Sequence, residues 1–435
     1  MRLISSAFVE PDAFTAHAAR LARREDADLF LSGQGRTGEN TSLIGINPCE
    51  ELVVTEKTGR AEIKDFAFSG PGPCLGFLSY TYGLARQGIS FERTAFPLGH
   101  FKKYAALILY DQALKKLDLY ARKSKDIRGV EKILASDPAK FDFQPPRAAR
   151  AGFSQSLDRD AYVRAVKKTL EHIRDGHTYQ LNLSVKFSLE LQDPDAPALF
   201  FHLLKHNPAR FYAWFKSGPY RIISTSPERF LRVSGGQVLS QPIKGTLAIR
   251  GTMASRDTPA FGGHLDESLV ARLTSSPKES AELSMIVDLI RNDISSNCEY
   301  GSVQVDGHKS TFVVDNLLHM YSNVRGRLKK EITCVDLLLD AFPGGSVTGC
   351  PKKRTLEIIE ELEPHSRDVY CGGFFAIRDE KNMDSSVAIR TGYLDPESSA
   401  FHFFAGSGIV IDSDPLSEYT ETLAKAEKFL RIQRP

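Results

Sequence analysis

The chain has 435 residues, of which 42% are hydrophobic and 25% are charged, and its formal net charge is +2. This length allows a large buried core, and the near balance of charge gives no field for binding nucleic acid. No apolar run reaches the length of a membrane span, and the first residues lack the apolar stretch of a signal peptide. The six cysteines form no Cys-x-x-Cys pair, which is typical of a reducing compartment. We therefore expect a cytoplasmic protein that binds neither nucleic acid nor a membrane.

Short β-type runs dominate residues 1–121, which we expect to form an N-terminal β-rich region. One such run is 75–82, and another pair, 105–110 and 116–120, predicts a hairpin. The stretch 122–156 is charged and then rich in proline and arginine, which indicates a segment that connects two regions over the surface. A second region, 157–432, follows it.

The second region begins with a helix that Ser156 or Asp158 can cap and that Gly176 ends. Further helices are predicted at 279–292, 332–340, 351–362 and 415–431. Strand-like segments are predicted at 178–189, 211–216, 220–225, 229–233 and 237–243. Because strands come in runs with few alternating β-α-β units, the pattern favours an α+β fold over a doubly wound sheet.

Two motifs suggest chemistry that their surroundings do not support. Residues 33–38 match the dinucleotide pattern G-x-G-x-x-G, but the sequence after them alternates like a strand instead of opening a helix, so we expect a turn between strands. Cys74 resembles the nucleophile of a glutamine amidotransferase, but no histidine is followed two positions later by glutamate. We expect Cys74 to be a small buried residue at the start of a strand. Glutamine nitrogen would then have to come from a separate subunit.

Glu228 and Lys244 are charged residues in otherwise apolar or turn-rich surroundings. Glu228 precedes a predicted strand, and Lys244 lies in an apolar stretch that ends at Gly245. A lysine in an apolar site loses its preference for the charged form and can act as a nucleophile. A surface salt bridge between the two residues explains the same pattern, and these residues alone favour it.

Glutamates recur on two predicted helices. Glu282 shares a helical face with apolar residues, together with Glu279 one turn before it. Glu421 lies one turn before Lys425, and a solvated ion pair would account for those two. The functional interpretation is that Glu282 and Glu421 converge on one Mg²⁺, which prefers hard oxygen ligands.

Two glycine-rich segments, 342–352 and 405–408, complete the set. Bare backbone N–H groups in such loops form anion sites. Together with the charged residues they outline a pocket for a small dicarboxylate and a divalent ion.

In this order the segments resemble the chorismate-utilising family, which includes anthranilate, aminodeoxychorismate, isochorismate and salicylate synthases. The resemblance covers roughly residues 155–431. The matching stretches are TYQLNLS (178–184), STSPERF (224–230), PIKGT (242–246), AELSMIVDLIRND (281–293), FPGGSVTGCPK (342–352), YCGG (370–373), AIRT (388–391) and AGSGIVIDSDPLSEYTETLAK (405–425).

The resemblance implies large mixed or antiparallel β-sheets in a sandwich flanked by helices, with 157–432 as the catalytic region. It implies that Mg²⁺ is held by Glu282 and Glu421, with Glu279 and Glu418 adjacent. The residues that it places around chorismate are Gly406, Gly408 and Lys425 at the ring carboxylate, Tyr370 and Arg390 at the enolpyruvyl group, His319 and Thr348 along the ring, and Glu228 as general acid at the C4 hydroxyl.

Two positions distinguish the members of that family. Members that add water carry lysine where this chain has Gln180, and members that make anthranilate usually carry alanine where it has Lys244. The resemblance thus implies amination of chorismate at C4 to 4-amino-4-deoxychorismate, with Lys244 as a covalent nucleophile and ammonia from a glutamine amidotransferase subunit. The alternative is an anthranilate synthase component I with an atypical lysine.

Overall fold

The structure is a computed structural model of the chain. It describes residues 1–433 except 34–40, 124–126, 138–146, 193–194, 208, 249–266, 315–316 and 396. The turn predicted at 33–38 lies almost entirely outside the described residues.

Helices and strands follow one another along the whole described chain. The helices are α1 (Pro11–Arg24), α2 (Arg60–Phe68), α3 (Tyr80–Gln87), α4 (Arg128–Leu134), α5 (Arg159–Arg174), α6 (Ala196–His206), α7 (Glu267–Thr274), α8 (Pro277–Ser295), α9 (Cys334–Ala341), α10 (Lys352–Leu362) and α11 (Pro415–Leu430). The strands are β1 (Arg2–Phe8), β2 (Ala27–Ser32), β3 (Thr41–Val54), β4 (Cys74–Leu78), β5 (Gly99–Asp111), β6 (Lys116–Ala121), β7 (Arg147–Gln155), β8 (Gln180–Gln192), β9 (Phe211–Ser217), β10 (Tyr220–Ser226), β11 (Arg229–Ser234), β12 (Gln237–Gln241), β13 (Ile243–Ala248), β14 (Gln304–Val314), β15 (Leu317–Arg327), β16 (Gly349–Cys350), β17 (Gly373–Asp379), β18 (Asn382–Val387), β19 (Thr391–Asp395) and β20 (Ala400–Ile409).

The strands form one hydrogen-bonded sheet with two arms, and β5 belongs to both. The first arm runs β1-β6-β5-β3-β2-β9-β10-β19-β20-β8-β7. The second runs β5-β4-β17-β18-β11-β12-β15, with β13 and β14 both on β15. Each of these pairings is antiparallel, so the α+β prediction is confirmed and the parallel pairs of a mixed sheet are not found among them.

Aromatic rings join the two arms in the core. The ring of Phe215 on β9 lies 5.5 Å from that of Phe77 on β4, and the ring of Phe30 on β2 lies 5.9 Å from that of Phe374 on β17. All but Phe30 are buried. Such rings remove large apolar areas from water, so their burial holds one arm against the other as in a sandwich.

The N-terminal region contains more helix than its sequence pattern predicts. Three helices, α1 to α3, interrupt its strands. The run predicted as one strand over 75–82 ends at Leu78, and α3 begins at Tyr80 because the Ser79 hydroxyl caps it by accepting from the N–H of Tyr82. The hairpin predicted from 105–120 is confirmed as β5 and β6.

The stretch 122–156 is more than a connection, because it contributes α4 and the sheet strand β7. The regions before and after it also share the sheet, since β2 pairs with β9 and β4 pairs with β17. The domain boundaries at 121 and 157 remain a prediction.

The elements predicted for the second region are found with small shifts at their ends. Asp158 caps α5, with its carboxylate accepting from the N–H of Ala161 at 2.7 Å. The predicted helices correspond to α8, α9, α10 and α11. No helix in the described part of the chain is long and apolar enough to cross a membrane.

Candidate active site

A cavity opens where the glycine-rich turn before α10, the ends of β13 and β20, and the first turns of α8 and α11 meet. Most of the predicted site residues line it. The predicted residues at its wall are Glu228, Lys244, Glu279, Glu282, His319, Tyr370, Arg390, Gly406, Gly408, Glu418, Glu421 and Lys425. Those that the sequence did not single out include Asn182, Lys278 and Ser346.

Glu228 is a buried carboxyl group with one close hydroxyl partner. It follows β10 in a two-residue link, and the Ser346 hydroxyl donates to its Oε1 at 2.7 Å. Burial raises the pKa of Glu228 to about 7, although the hydrogen bond from Ser346 and the charges of Lys244 and Arg210 act in the opposite direction. Near neutral pH the group is thus present in both forms, which suits proton donation.

Lys244 lies among carboxylates, so its predicted apolar surroundings are not found. Burial leaves the pKa values of Glu228, Glu279 and Glu282 raised, and the charge of Lys244 acts against this rise. It also adds to the lowering of the pKa of Glu421 that Lys425 causes. The surface salt bridge between Lys244 and Glu228 is not found either, because the Glu228 carboxylate is buried and accepts a hydrogen bond from Ser346.

Two glycines make room for the Lys244 side chain. A β-bulge separates Lys244 from Thr246, and Gly245 within it has a φ of +74°. A Cβ added to Gly408 would lie 2.5 Å from Nζ of Lys244 and 3.2 Å from Nε2 of Gln180. Lys244 therefore ends beside the Gly408 backbone, next to the buried amide of Gln180, whose side-chain atoms have no hydrogen-bond partner among the residues that the structure describes.

Four glutamates face the cavity from the first two turns of two helices. Glu279 and Glu282 are on α8, which Ser276 caps, and Glu418 and Glu421 are on α11, which Asp414 caps. Each pair is three residues apart and thus on one face, and acidic residues near a helix N-terminus are favoured by the helix dipole.

Crowding and burial change the protonation of these carboxyl groups. Burial is the main cause that raises the pKa of Glu279 to about 6, and the negative charge of Glu282 is the second. Burial also raises the pKa of Glu282. The Lys425 ammonium lowers the pKa of Glu421, to which it is paired at 2.6 Å. The cluster therefore favours a bound cation.

The donor set suits Mg²⁺ chemically, since it offers hard carboxylate oxygens. Among the described residues no three His, Cys, Asp or Glu side chains form a ready-made metal cluster. Mg²⁺ usually takes only one or two protein carboxylates and fills its other positions with water and substrate. Glu282 and Glu421 meet that smaller requirement.

Backbone and basic groups form the opposite wall. Gly406 and Gly408 lie on β20 opposite Ser184 and Asn182 of β8, and a Cβ at Gly406 would lie 2.5 Å from the Leu183 carbonyl oxygen. Lys425 donates to the Gly406 carbonyl oxygen at 3.1 Å.

Arg390 and Tyr370 are held by their neighbours. The backbone of Arg390 is left-handed at a φ of +52°, and its carbonyl oxygen accepts from the N–H and the hydroxyl of Thr225. The Tyr370 ring stacks on Phe404 at 5.3 Å. His319 lies on β15, next to β13.

Thr348 is not among the residues at the cavity wall. Its hydroxyl donates to the Gly344 carbonyl oxygen at 3.0 Å and so closes the glycine-rich turn. Gln180 is also set back from the wall, behind Gly408. Cys74 is buried at the start of β4 as predicted, and burial raises its thiol pKa to about 12.

The cavity is thus lined by carboxylates, lysines and glycine backbone, a combination that suits a small anionic ligand together with a cation. Residues 31–431 match the family model described as chorismate binding enzyme, so the chain belongs to the chorismate binding enzyme family and is a chorismate-utilising enzyme.

Relatives named as aminodeoxychorismate synthase and as anthranilate synthase are both similar to it. The chain is 33% identical to aminodeoxychorismate synthase component 1 of Klebsiella aerogenes, over 82% of this chain and 76% of that one. It is 32% identical to an anthranilate synthase component I-like protein of Synechocystis, over 82% and 72% of the two chains. Its fold matches the crystal structure of anthranilate synthase component I from Streptococcus pneumoniae with a TM-score of 0.76 and 26% identity, over 92% and 93% of the chains.

Proposed function

We propose that the protein aminates chorismate at C4 to give 4-amino-4-deoxychorismate. The observation that carries this proposal is a lysine side chain, Lys244, in the same cavity as the buried acid Glu228. The similarity to aminodeoxychorismate synthase component 1 supports it.

In the proposed reaction Nζ of Lys244 forms a bond to C2 of the ring. Both ring double bonds shift, the C4–O bond breaks, and Glu228 gives its proton to the hydroxyl, which leaves as water. Ammonia then adds at C4, both double bonds shift back, the amine of Lys244 leaves C2, and the Glu228 carboxylate takes up the proton that the new ammonium group loses. The net change is replacement of the C4 hydroxyl by an amino group with release of one water.

The remaining residues bind and orient the substrate. Gly406, Gly408 and Lys425 are proposed to bind the ring carboxylate, and Tyr370 and Arg390 the enolpyruvyl group. Glu282 and Glu421 would hold Mg²⁺, with Glu279 and Glu418 around them. When bound, Mg²⁺ supplies positive charge that stabilises the ring carboxylate as the C4–O bond breaks.

We also propose that ammonia comes from a glutamine amidotransferase subunit. Cys74 is buried with a raised thiol pKa, so it is not suited to release ammonia from glutamine. The relative from Klebsiella aerogenes is likewise named as a component 1. The isolated chain should use ammonium and give no product from glutamine.

The product distinguishes the proposal from its main alternative. With chorismate, Mg²⁺ and ammonium, we expect an aminated product that becomes 4-aminobenzoate only after a separate lyase is added. Anthranilate fluorescence without a lyase would contradict this result. It would favour an anthranilate synthase, for which the similarity to the Synechocystis and Streptococcus pneumoniae proteins is the supporting observation.

Replacing Lys244 tests the covalent route. Lys244→Ala should abolish C4 amination, because no amine remains to form the intermediate, and it leaves space for ammonia at C2. Lys168→Ala, on the exposed face of α5, is the control and should keep full activity. Unchanged amination in Lys244→Ala would remove the nucleophilic role.

A further inference from the structure

Lys278 is a cavity-lining lysine to which the reaction proposed above assigns no task. It is the second residue of α8. Its Nζ lies 3.8 Å from Oε1 of Glu418 and 4.0 Å from Oε1 of Glu282, so it joins the acidic faces of α8 and α11. The Lys278 side chain is 44% exposed, so it contacts solvent on the side away from these glutamates.

The position of Lys278 is unfavourable for its own helix. Cations in the first helical turn lie at the positive end of the helix dipole and are disfavoured there. Burial lowers the pKa of Lys278, yet the carboxylates of Glu418, Glu282, Glu279 and Glu421 together leave it raised. The glutamates, and not the helix, therefore hold the ammonium in place.

The ionisable groups at the cavity wall leave little charge uncompensated. The described lining residues include five carboxyl groups, those of Glu228, Glu279, Glu282, Glu418 and Glu421. They include four cationic groups, those of Lys244, Lys278, Lys425 and Arg390. With all of them ionised the wall carries a formal charge of −1. Adding a divalent cation changes the formal charge of the wall from negative to positive, unless one of the ammonium groups moves out of the cavity.

Among the lysines at the cavity wall, Lys278 is the one whose ammonium group has space to move away from the carboxylates into solvent. Lys425 is paired with Glu421 at 2.6 Å and bonded to the Gly406 carbonyl oxygen, and Lys244 reaches inward to Gly408. The contacts of Lys278 are longer, and its side chain borders solvent.

We infer that Lys278 is a built-in counter-ion for the carboxylates that would hold Mg²⁺, and that binding of the divalent ion displaces its ammonium toward solvent. This inference rests on the metal site of the proposed function. Its consequence is weak metal binding in the absence of substrate, because the ion has to compete with an ammonium attached to the same helix.

The test is binding of Mn²⁺, a paramagnetic substitute for Mg²⁺, to the full-length protein without chorismate, followed by electron paramagnetic resonance. Lys278→Met should bind Mn²⁺ roughly three- to tenfold more tightly than the unmodified protein, since each partly exposed ion pair contributes only modestly. Lys278→Arg, which keeps the charge, should bind about as the unmodified protein does. Raising the salt to about 1 M should reduce the gain, because salt screens exposed charges.

Lys353→Met is a matched control. Lys353 is also the second residue of its helix, α10, and is exposed, but it is not at the cavity wall. Its replacement should leave Mn²⁺ binding unchanged.

Each other outcome overturns the inference in a recognisable way. If Lys278→Met binds Mn²⁺ as the unmodified protein does, or more weakly, the counter-ion role is wrong and the metal site stands. If neither protein binds Mn²⁺, the metal site of the proposed function fails, and the role of Lys278 fails with it.

Discussion

At the scale of single residues, burial of Glu228 and a hydrogen bond from one hydroxyl group act in opposite directions on its pKa. Burial favours the neutral acid, while the Ser346 hydrogen bond favours the carboxylate. The result is a pKa of about 7, well above that of an ordinary glutamate. If Glu228 has to be protonated to act, activity falls as the pH rises through this value.

Ser346→Ala should move that fall to higher pH. Removing the donor takes stabilisation from the ionised form, so the pKa of Glu228 rises, by about one unit for a hydrogen bond to a charged group. The measurement is kcat/KM against pH with the concentration of free ammonia held constant. Ser268→Ala, a change on α7, is the control. An alkaline limb that stays in place or moves to lower pH would show that Glu228 is not the titrating acid.

Gly408→Ala should remove activity without unfolding the protein. The new methyl carbon would lie 2.5 Å from Nζ of Lys244, so the lysine has to leave its position beside the Gly408 backbone. We expect kcat/KM to fall by about a hundredfold or more, as for reacting groups that are misplaced by about 1 Å. Gly59→Ala, where the added carbon meets nothing within 4 Å, is the control. Full activity in Gly408→Ala would mean that Lys244 works from elsewhere.

The sequence identifies most residues of the site but not all of their partners. Glu228, Lys244 and the four glutamates lie in motifs with unusual combinations of charge and glycine, and the fold brings them to one cavity. Ser346 and Lys278 carry no such signal. A serine in a glycine-rich turn and a lysine four residues before a glutamate are ordinary in isolation, and only the long-range contacts with Glu228 and Glu418 give them meaning.

At the scale of elements, one buried ion pair ties several walls of the cavity together. The Arg367 guanidinium bonds to both carboxylate oxygens of Glu363, and it donates to the carbonyl oxygens of Val347 and Asn182 at 3.1 and 2.5 Å. The Glu363 carboxylate also accepts from the backbone N–H of Ser184. The pair thus fixes β8 against the glycine-rich turn that carries Ser346.

Arg367→Lys should impair turnover more than its loss of stability explains. The charge remains, but the fork that holds the two carbonyl oxygens is lost. We expect kcat/KM to fall at least about tenfold at a temperature where the variant is still folded, as after small misplacements of catalytic groups. Circular dichroism establishes that temperature.

Lys102→Met provides the comparison for this variant. It breaks the buried pair with Asp28, which is 3.1 Å long and lies away from the cavity. Breaking a buried pair costs roughly 3–5 kcal/mol, so stability should fall while kcat/KM of the folded enzyme stays unchanged. Equal losses of kcat/KM in both variants would contradict a local role for Arg367.

Local sequence predicts the elements of the second region better than those of the first. Helix α5 has a capping aspartate and a regular apolar stripe, and the pattern gives both of its ends. Helix α1 buries mostly alanines, and α3 begins in a run of aromatic and β-branched residues that favours a strand. Tertiary contacts decide these cases, such as Gly83 of α3 packed on Pro343.

At the scale of the whole molecule, the shared sheet predicts that the catalytic region does not fold alone. Without residues 1–156, β9 loses β2, β17 loses β4, and β8 loses β7. Long apolar strand edges exposed in this way favour aggregation. Residues 157–432 expressed alone should be insoluble or lack a cooperative thermal transition by circular dichroism, while the full chain shows one. A soluble fragment that unfolds cooperatively would support the domain boundary at 157.

The pairing of β4 with β17 also has a consequence for biosynthesis. Phe77 on β4 lies opposite Phe374 on β17, so the strand that pairs with β4 leaves the ribosome much later than β4 itself. For a gap of roughly 300 residues and synthesis at about 5–20 residues per second, the wait is about 15–60 s. During that time β4 can form strand pairs only through its other edge, with β5. Nascent chains of this protein should therefore need protection by chaperones until synthesis is almost complete.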